Sequence, residues 1–171
     1  MINIQAEEKI FRSHPCARKA LWSLKSFIAL EDAKSFSHLV PIAVGILECF
    51  EEPVTIVSGP ISTGGLGTRE HNMAVFRAVI QRLQSQNRSV FDQTPFENVL
   101  FRISREWFSQ NPMETYCMPI LEDFYEPIFS SGLISRIAFI RGWQSSFGAR
   151  WERMKAIEIG LGIDDLPHIE P

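Results

Sequence analysis

The sequence predicts an α/β fold in which helices cover both faces of a parallel β-sheet, preceded by a helical extension at the N-terminus. Two apolar runs, residues 54–57 and 134–140, have the composition of buried parallel strands. Each run is followed by a loop rich in glycine or serine, and then by a stretch with helical periodicity. This alternation is typical of a doubly wound parallel sheet, whose ligands bind beyond the carboxyl ends of the strands.

The chain divides into a helical N-terminal extension, residues 1–52, and an α/β domain, residues 53–171. In the extension, apolar residues recur at helical spacing over 17–30 and 32–50. Pro41 would kink the second of these helices or mark its first turn. Because this region carries no pattern of reactive groups, we expect it to pack on the core or on a second subunit.

The elements of the α/β domain alternate in order along the chain. The predicted strands cover residues 54–57, 89–91, 134–140 and 163–169. The predicted helices cover residues 69–86, 96–108, 118–130 and 148–159. Gly160 follows the last helix and is expected to end it as a C-cap.

Composition and charge indicate which partners to expect. Hydrophobic residues make up 45% of the 171 residues and charged residues 22%, as in ordinary globular proteins. The net charge of −3 gives no electrostatic reason to expect a nucleic acid polymer or a membrane as partner. No apolar run could span a bilayer, and residues 1–8 do not resemble a signal peptide. Cys16, Cys49 and Cys117 lack disulfide or metal-ligand spacing, so we expect a cytoplasmic protein with reduced thiols and no bound metal.

The turn before the helix at 148–159 carries the strongest functional signal. Ser146 can cap this helix, because its hydroxyl can accept one of the unpaired amide hydrogens of the first turn. The remaining free amides and the helix dipole make this end a suitable anion site. Glu152 falls in the first turns, so Ser146, Gly148 and Glu152 are expected to surround one small pocket. Such turns also occur in α/β proteins without any catalytic role.

The glycine-rich loop 59–68 is a second candidate site. Its glycines would let backbone amides approach a phosphate or a sugar closely. The loop lacks the third glycine of a dinucleotide-binding motif, and no Gly-Lys-Ser/Thr follows it as in a P-loop. A flexible surface loop is the alternative interpretation. His71 is expected to be a residue of the helix start, because no partner lies near it in the sequence.

Two segments together resemble the nucleoside 2-deoxyribosyltransferase-like superfamily. This group includes deoxyribosyltransferases, nucleoside 5′-monophosphate N-glycosidases and uncharacterised bacterial and phage relatives. The first segment is the opening strand with Ser58-Gly59-Pro60-Ile61-Ser62. The second is Gly148-x-x-x-Glu152-x-x-x-Ala156, with Trp143 and Ser146 ahead of it. The resemblance covers roughly residues 54–163 and implies a Rossmann-like or flavodoxin-like fold.

The resemblance also implies roles for individual residues. Glu152 matches the nucleophile that attacks C1′ of the sugar and forms a covalent glycosyl intermediate. Ser146 matches a serine that binds the 5′-phosphate in the monophosphate hydrolases, where the nucleoside transferases have an aspartate. Asp123 is the best match for the second acidic residue, which contacts the sugar or assists the leaving base. Because the segment from Asp123 to Glu152 is longer than in better-known members, a solvated helix residue is the alternative for Asp123.

The resemblance therefore predicts an enzyme that cleaves the base–sugar bond of a nucleoside 5′-monophosphate without metal or other cofactor. The residues expected to bind the substrate are Gly59, Ile61, Ser62, Gly64, Gly65, Ser146 and Gly148. Members of the superfamily often complete their sites across a subunit interface, so a homo-oligomer is implied by analogy.

Three alternatives stay open. The first is a nucleoside deoxyribosyltransferase. The second comes from residues 64–68, which resemble the GGxGTxxE motif of phosphoribohydrolases that release cytokinin-type bases, but His71 stands where that motif has its second glutamate. The third is a non-catalytic nucleotide-binding or sensor module in which Arg150 or Arg153 occupies Glu152 in a salt bridge. An open pocket that Glu152 shares with Gly59 and Ser62 would favour an enzyme.

Overall fold

The computed structural model of the chain describes residues 22–61, 65 and 67–168. The strands among them are β1 (Val54–Ser58), β2 (Val90–Phe91), β3 (Ile134–Phe139) and β4 (Gly162–Asp165). The helices are α1 (Leu24–Asp32), α2 (Phe36–Leu47), α3 (Arg69–Ser85), α4 (Glu97–Gln110), α5 (Glu126–Phe129) and α6 (Phe147–Ile159). A π-helical turn, Leu121–Tyr125, leads into α5, and 3₁₀ turns at Thr94–Phe96 and Trp143–Ser145 precede α4 and α6.

The four strands form one parallel sheet in the order β2-β1-β3-β4. Ile56 of β1 lies opposite both Phe91 of β2 and Ile137 of β3. The chain runs from β1 to β2 on one side, and β3 then pairs with the other side of β1. The strand order therefore reverses between β1 and β3, which is where ligands bind in doubly wound sheets. This arrangement confirms the predicted α/β fold with a flavodoxin-like parallel sheet.

Helices cover both faces of the sheet. Successive residues of a strand point to opposite sides, so β1 and β3 each present apolar side chains to both layers of helices. Val57 packs with Phe76 and other apolar residues of α3 on one face. Ile56 and Ile137 belong to a larger cluster on the other face, to which α1, α2, α4 and α6 all contribute. Full burial of each such side chain stabilises the fold by about 1.5–3 kcal/mol. In the described part of the chain, no helix combines the length and apolar character needed to cross a membrane.

Helices α1 and α2 contribute to the apolar core on one face of the sheet. Leu30 and Leu39 are completely buried, in the same cluster as the residues of β1 and β3. The guanidinium of Arg102, on α4, donates hydrogen bonds to the carbonyl oxygens of Glu31 and Ala33, at 3.0 and 2.9 Å. The end of α1 therefore helps to hold α4 in place.

Several predicted boundaries differ from the observed ones. The start of the first predicted helix, at residue 17, lies outside the described residues. The second begins at Phe36 and not at residue 32, because Ser35 is extended and serves as its N-cap residue. Pro41 lies inside α2 and not in its first turn. Strand β4 ends at Asp165, before the predicted residue 169, and Pro167 has no amide hydrogen with which to continue it.

The segment predicted as a helix over 118–130 contains the π-helical turn Leu121–Tyr125. One side of this turn faces the core and the other faces solvent: Leu121 and Tyr125 are buried, whereas Asp123 is exposed. π-Helical turns often occur at functional sites, because they change the direction in which side chains point. Here the turn directs Leu121 and Tyr125 toward the cavity described next.

Candidate active site

A cavity of about 180 Å³ opens at the carboxyl ends of β1 and β3. Gly59 and Ile61 contribute from the loop after β1, and Ser146, Gly148 and Glu152 from the start of α6. The strand order brings these two candidate segments together, because both leave the sheet at its switch point. One face of α4 and the segment before α5 complete the wall.

The N-terminus of α6 is capped by Ser146 as the sequence predicts. Ser146 is extended and buried, and its hydroxyl accepts a 3.3 Å hydrogen bond from the amide of Ala149. The amide of Arg150 donates to the Ser146 carbonyl, which begins the helical ladder. The amides of Phe147 and Gly148 therefore have no acceptor within the helix. They lie at the positive end of the helix dipole, where an anion is favoured.

Two glycines allow close contacts around the cavity. A Cβ atom at Gly148 would lie 2.6 Å from the hydroxyl oxygen of Tyr116, so glycine makes room for that hydroxyl. A Cβ atom at Gly59 would lie 2.9 Å from the Cβ of Ile140. The ring of Tyr116 also packs on Phe147, with centroids 4.5 Å apart. Tyr116 is thus fixed beside the start of α6.

Glu152 lies on the inner face of α6 and is 9% exposed. Burial raises the pKa of its carboxyl to about 8, and the charge of Glu97 adds to this rise. The hydroxyl of Ser58, at the end of β1, lies close enough to lower this pKa. That hydroxyl is itself buried and forms no hydrogen bond of standard geometry within the described residues. Glu152 and Ser58 are therefore buried polar groups that lie close together, and neither forms a hydrogen bond of standard geometry with the described residues.

The arginines near Glu152 in sequence do not pair with it. Arg150 donates to the carbonyl oxygen of Gln144 at 2.6 Å. Arg153 donates two hydrogen bonds to Asp165, at 2.7 and 2.9 Å. Glu152 instead faces a cavity that it shares with Gly59. This is the arrangement that distinguishes an available carboxyl group from one held in a surface salt bridge.

A second buried carboxyl, Glu97 at the start of α4, lines the same cavity and was missed by the sequence reasoning. It is 8% exposed, and burial raises its pKa to about 7, against the opposing effect of Arg69. The Arg69 guanidinium lies 3.8 Å from the Glu97 carboxylate and donates a 3.2 Å hydrogen bond to the Glu97 carbonyl. Periodicity could have revealed Glu97, because it shares one helical face with the buried Leu100 and Ser104.

Two tyrosines lie near both carboxyls. Burial is the main cause that raises the phenol pKa of Tyr116 and of Tyr125, and the charges of Glu97 and Glu152 raise both further. The two phenols therefore stay protonated at neutral pH. Each can donate a hydrogen bond to a ligand in the cavity.

Asp123, the predicted second acid, does not lie in the cavity. Its side chain is exposed on the outer side of the π-helical turn, whereas Leu121 and Tyr125 of the same turn line the cavity. Asp123 therefore has the placement expected of a solvated helix residue. Its position in the sequence could not reveal this, because a helix and a π-helical turn direct the same residue differently.

The glycine-rich loop is only partly described. Ser62 and Gly64 lie outside the described residues, whereas Ile61 is half-buried and lines the cavity. Gly65 is left-handed, with φ of 67°, and its amide donates a 3.0 Å hydrogen bond to the hydroxyl of Ser145. This bond ties the loop after β1 to the turn after β3. His71 lies in the first turn of α3, where its amide donates to the hydroxyl of Thr68, as expected of a helix-start residue.

Metal ligands are not clustered in the described ranges 22–61 and 67–168, where no group of three or more His, Cys, Asp or Glu side chains could hold an ion. Comparison with known proteins gives no match to any family model, curated protein or solved structure. The chemistry of the cavity is therefore the main guide to function.

Proposed function

We propose that this protein is an N-glycosidase that cleaves the base–sugar bond of a nucleoside 5′-monophosphate. The observation that supports it best is the buried Glu152 carboxyl, which faces a cavity beside the first amides of its own helix, and these have no acceptor within that helix. Gly148 and Glu152 are four residues apart, or about 6 Å along the helix axis. A sugar above Glu152 would then have its 5′-phosphate near the Phe147 and Gly148 amides.

The proposed reaction has a covalent intermediate. The ionised Glu152 carboxylate attacks C1′ of the sugar while the bond from C1′ to the base nitrogen breaks, through an oxocarbenium-like transition state. Water then attacks C1′ and releases the sugar phosphate. Because the residues around Glu152 exclude bulk water, its charge is poorly solvated and interacts strongly with the developing positive charge on the sugar.

The size of the cavity favours enclosure of the sugar and part of the base. Its volume, about 180 Å³, is below the roughly 300–1,000 Å³ of sites that enclose drug-sized ligands. The phosphate would therefore lie at the mouth. Arg105 lines the cavity, is exposed, and makes no ion pair or hydrogen bond with the described residues. An arginine and helix amides that lack partners among the described residues together suit a phosphate.

Ser146 can assist without giving up its capping role. A hydroxyl has one donor hydrogen and two acceptor lone pairs. While its oxygen accepts from the Ala149 amide, its hydrogen is available to a phosphate oxygen. This combination supports a nucleotide as the substrate in preference to a nucleoside.

The test is base release from a panel of ribonucleoside and deoxyribonucleoside 5′-monophosphates, followed by chromatography. Glu152→Gln keeps the shape of the side chain but removes the nucleophile, and we expect it to lower kcat by roughly 10⁴-fold or more. Glu158→Gln, an exposed glutamate on the same helix, is the matched control and should release base at the wild-type rate.

Two results would count against the proposal. Base release that survives in Glu152→Gln would remove Glu152 from the chemistry. If no monophosphate releases base, although nucleotides raise the melting temperature of the wild type, the protein is a nucleotide-binding module and not a glycosidase.

A further inference from the structure

We infer that Glu97 is the catalytic acid of the site, which gives its proton to the departing base and later takes one from the attacking water. This inference rests on the proposed function, because it assigns a second residue to the same reaction. It replaces Asp123, which is exposed outside the cavity.

The geometry supports Glu97 because, among the described residues, it is the other carboxyl group in the cavity wall. It comes from the first residue of α4, whereas Glu152 comes from α6, so the two carboxyls reach the cavity from different helices. Each is more than nine-tenths buried. The charge of Glu97 raises the pKa of Glu152, which indicates that the two groups lie within direct electrostatic range. Two buried carboxyls at this range hold a proton at neutral pH, because burial and mutual repulsion both oppose double ionisation.

The other groups in the cavity are poor proton donors for this step. In the described part of the chain, the titratable side chains that line it are Arg69, Glu97, Arg105, Tyr116, Tyr125 and Glu152. Guanidinium groups are too weakly acidic to act as general acids at neutral pH, and the two phenols hold their protons even more tightly than free tyrosine. If Glu152 is the nucleophile, Glu97 is the described lining carboxyl that can donate the proton. Burial raises its pKa to about 7 and that of Glu152 to about 8, so the reactive form, with the proton on Glu97 and the charge on Glu152, is the minor one of the two singly protonated forms of the pair.

The proton and the electrons balance over two steps. In the first, the C1′–N electron pair stays on the base nitrogen, which takes the proton of Glu97, while a Glu152 oxygen bonds to C1′. In the second, a water oxygen bonds to C1′, its proton passes to the Glu97 carboxylate, and the C1′–O pair returns to Glu152. One water is consumed, and both carboxyls return to their starting states.

Arg69 suits this cycle because it can stabilise Glu97 after the proton has left. Its guanidinium lies 3.8 Å from the carboxylate and lowers the pKa of Glu97. It is held over the ring of Phe101, 5.1 Å from the centroid. An ionised Glu97 therefore has a fixed cation beside it, whereas Glu152 has only the hydroxyl of Ser58.

The test compares two substrates in Glu97→Gln. One is the preferred nucleoside 5′-monophosphate, and the other is its 4-nitrophenyl analogue, in which nitrophenolate leaves C1′ without needing a proton. We expect base release to fall by about 10²–10⁴-fold. The analogue should still give a rapid burst of nitrophenolate equal to the enzyme, followed by slow turnover, because the intermediate forms but the introduced amide cannot take the proton of water. The alkaline fall of the pH–rate profile, due to loss of the Glu97 proton, should disappear.

The controls separate this inference from the proposed function. Glu106→Gln, exposed on the same helix, and Asp123→Asn should both behave as wild type. Glu97→Asp keeps a carboxyl and should recover part of the base release. Equal losses on both substrates, or base release that Glu97→Gln leaves unchanged, would reject the catalytic role of Glu97 while leaving the glycosidase intact. A wild-type protein that releases neither base nor nitrophenolate would reject both.

Discussion

The two walls of the cavity differ in how far the sequence reveals them. The wall from α6 is a local motif, with Ser146, Gly148 and Glu152 inside one short segment, and all three line the cavity as expected. The wall from α4 contains Glu97 and Arg105, neither of which belongs to a recognisable motif. They reach the site because α4 and α6 both contribute to the apolar cluster on the same face of the sheet. A motif therefore locates one side of a site, and tertiary packing decides what faces it.

The largest expected effect is on the stability of the fold, and it involves one buried carboxyl from each wall. Burial raises the pKa of Glu97 to about 7 and of Glu152 to about 8, from 4.5. Below pH 4.5 both groups are protonated in the folded and unfolded chains and have no effect. Above it the unfolded chain ionises first, so the folded state loses about 1.4 kcal/mol per pH unit for each group until its folded pKa is passed.

Chemical denaturation at pH 5 and pH 8 tests this. We expect the free energy of unfolding to be lower at pH 8 by a few kcal/mol, and Glu97→Gln and Glu152→Gln each to reduce that difference. Glu158→Gln, an exposed glutamate of α6, provides the baseline. If either buried variant keeps the full wild-type dependence on pH, its carboxyl ionises as easily in the folded chain as in the unfolded one.

The next effect tests the α6 wall, where Gly148 makes room for Tyr116. In Gly148→Ala the new methyl group would lie 2.6 Å from the Tyr116 hydroxyl, so we expect a loss of about 1–3 kcal/mol and a fall of a few degrees in Tm. Tyr116→Phe should restore part of the loss in the double variant. Gly45→Ala, in α2, meets no atom within 4 Å and should be neutral or slightly stabilising. Additive losses in the Gly148–Tyr116 double variant would show that the two residues do not touch in solution.

The smallest effect is on KM and tests Arg105 in the α4 wall. Arg105→Ala should raise KM for the nucleoside 5′-monophosphate about 10- to 100-fold, the value of a charge-assisted hydrogen bond, with little change in kcat. The matching nucleoside, which has no phosphate, should be unaffected. Arg77→Ala, an exposed arginine of α3, is the control. A similar rise in KM for both substrates would mean that Arg105 does not meet the phosphate.

These differences follow from what a sequence pattern encodes. Apolar runs and helical periodicity located β1, β3 and α6, and capping chemistry located Ser146 and the left-handed Gly160 that ends α6. These signals depend on neighbours along the chain. The exposure of Asp123 and the role of Glu97 could not be predicted in the same way. Periodicity puts Glu97 on the buried face of α4, but only the folded chain brings that face to the cavity, and the π-helical turn directs Asp123 to solvent.

The hydrogen bonds of Arg102 have a consequence for any attempt to define a minimal fragment. Their acceptors, the carbonyls of Glu31 and Ala33, belong to the stretch that the sequence separates from the α/β domain at residue 52. A chain cut there would lose these acceptors and uncover the apolar cluster to which α1 and α2 contribute. The helix that carries Glu97 would then lack one of its supports. The N-terminal region thus supports the helix that forms one wall of the site. A shortened protein is expected to lose the alignment of Glu97 before it loses the parallel sheet.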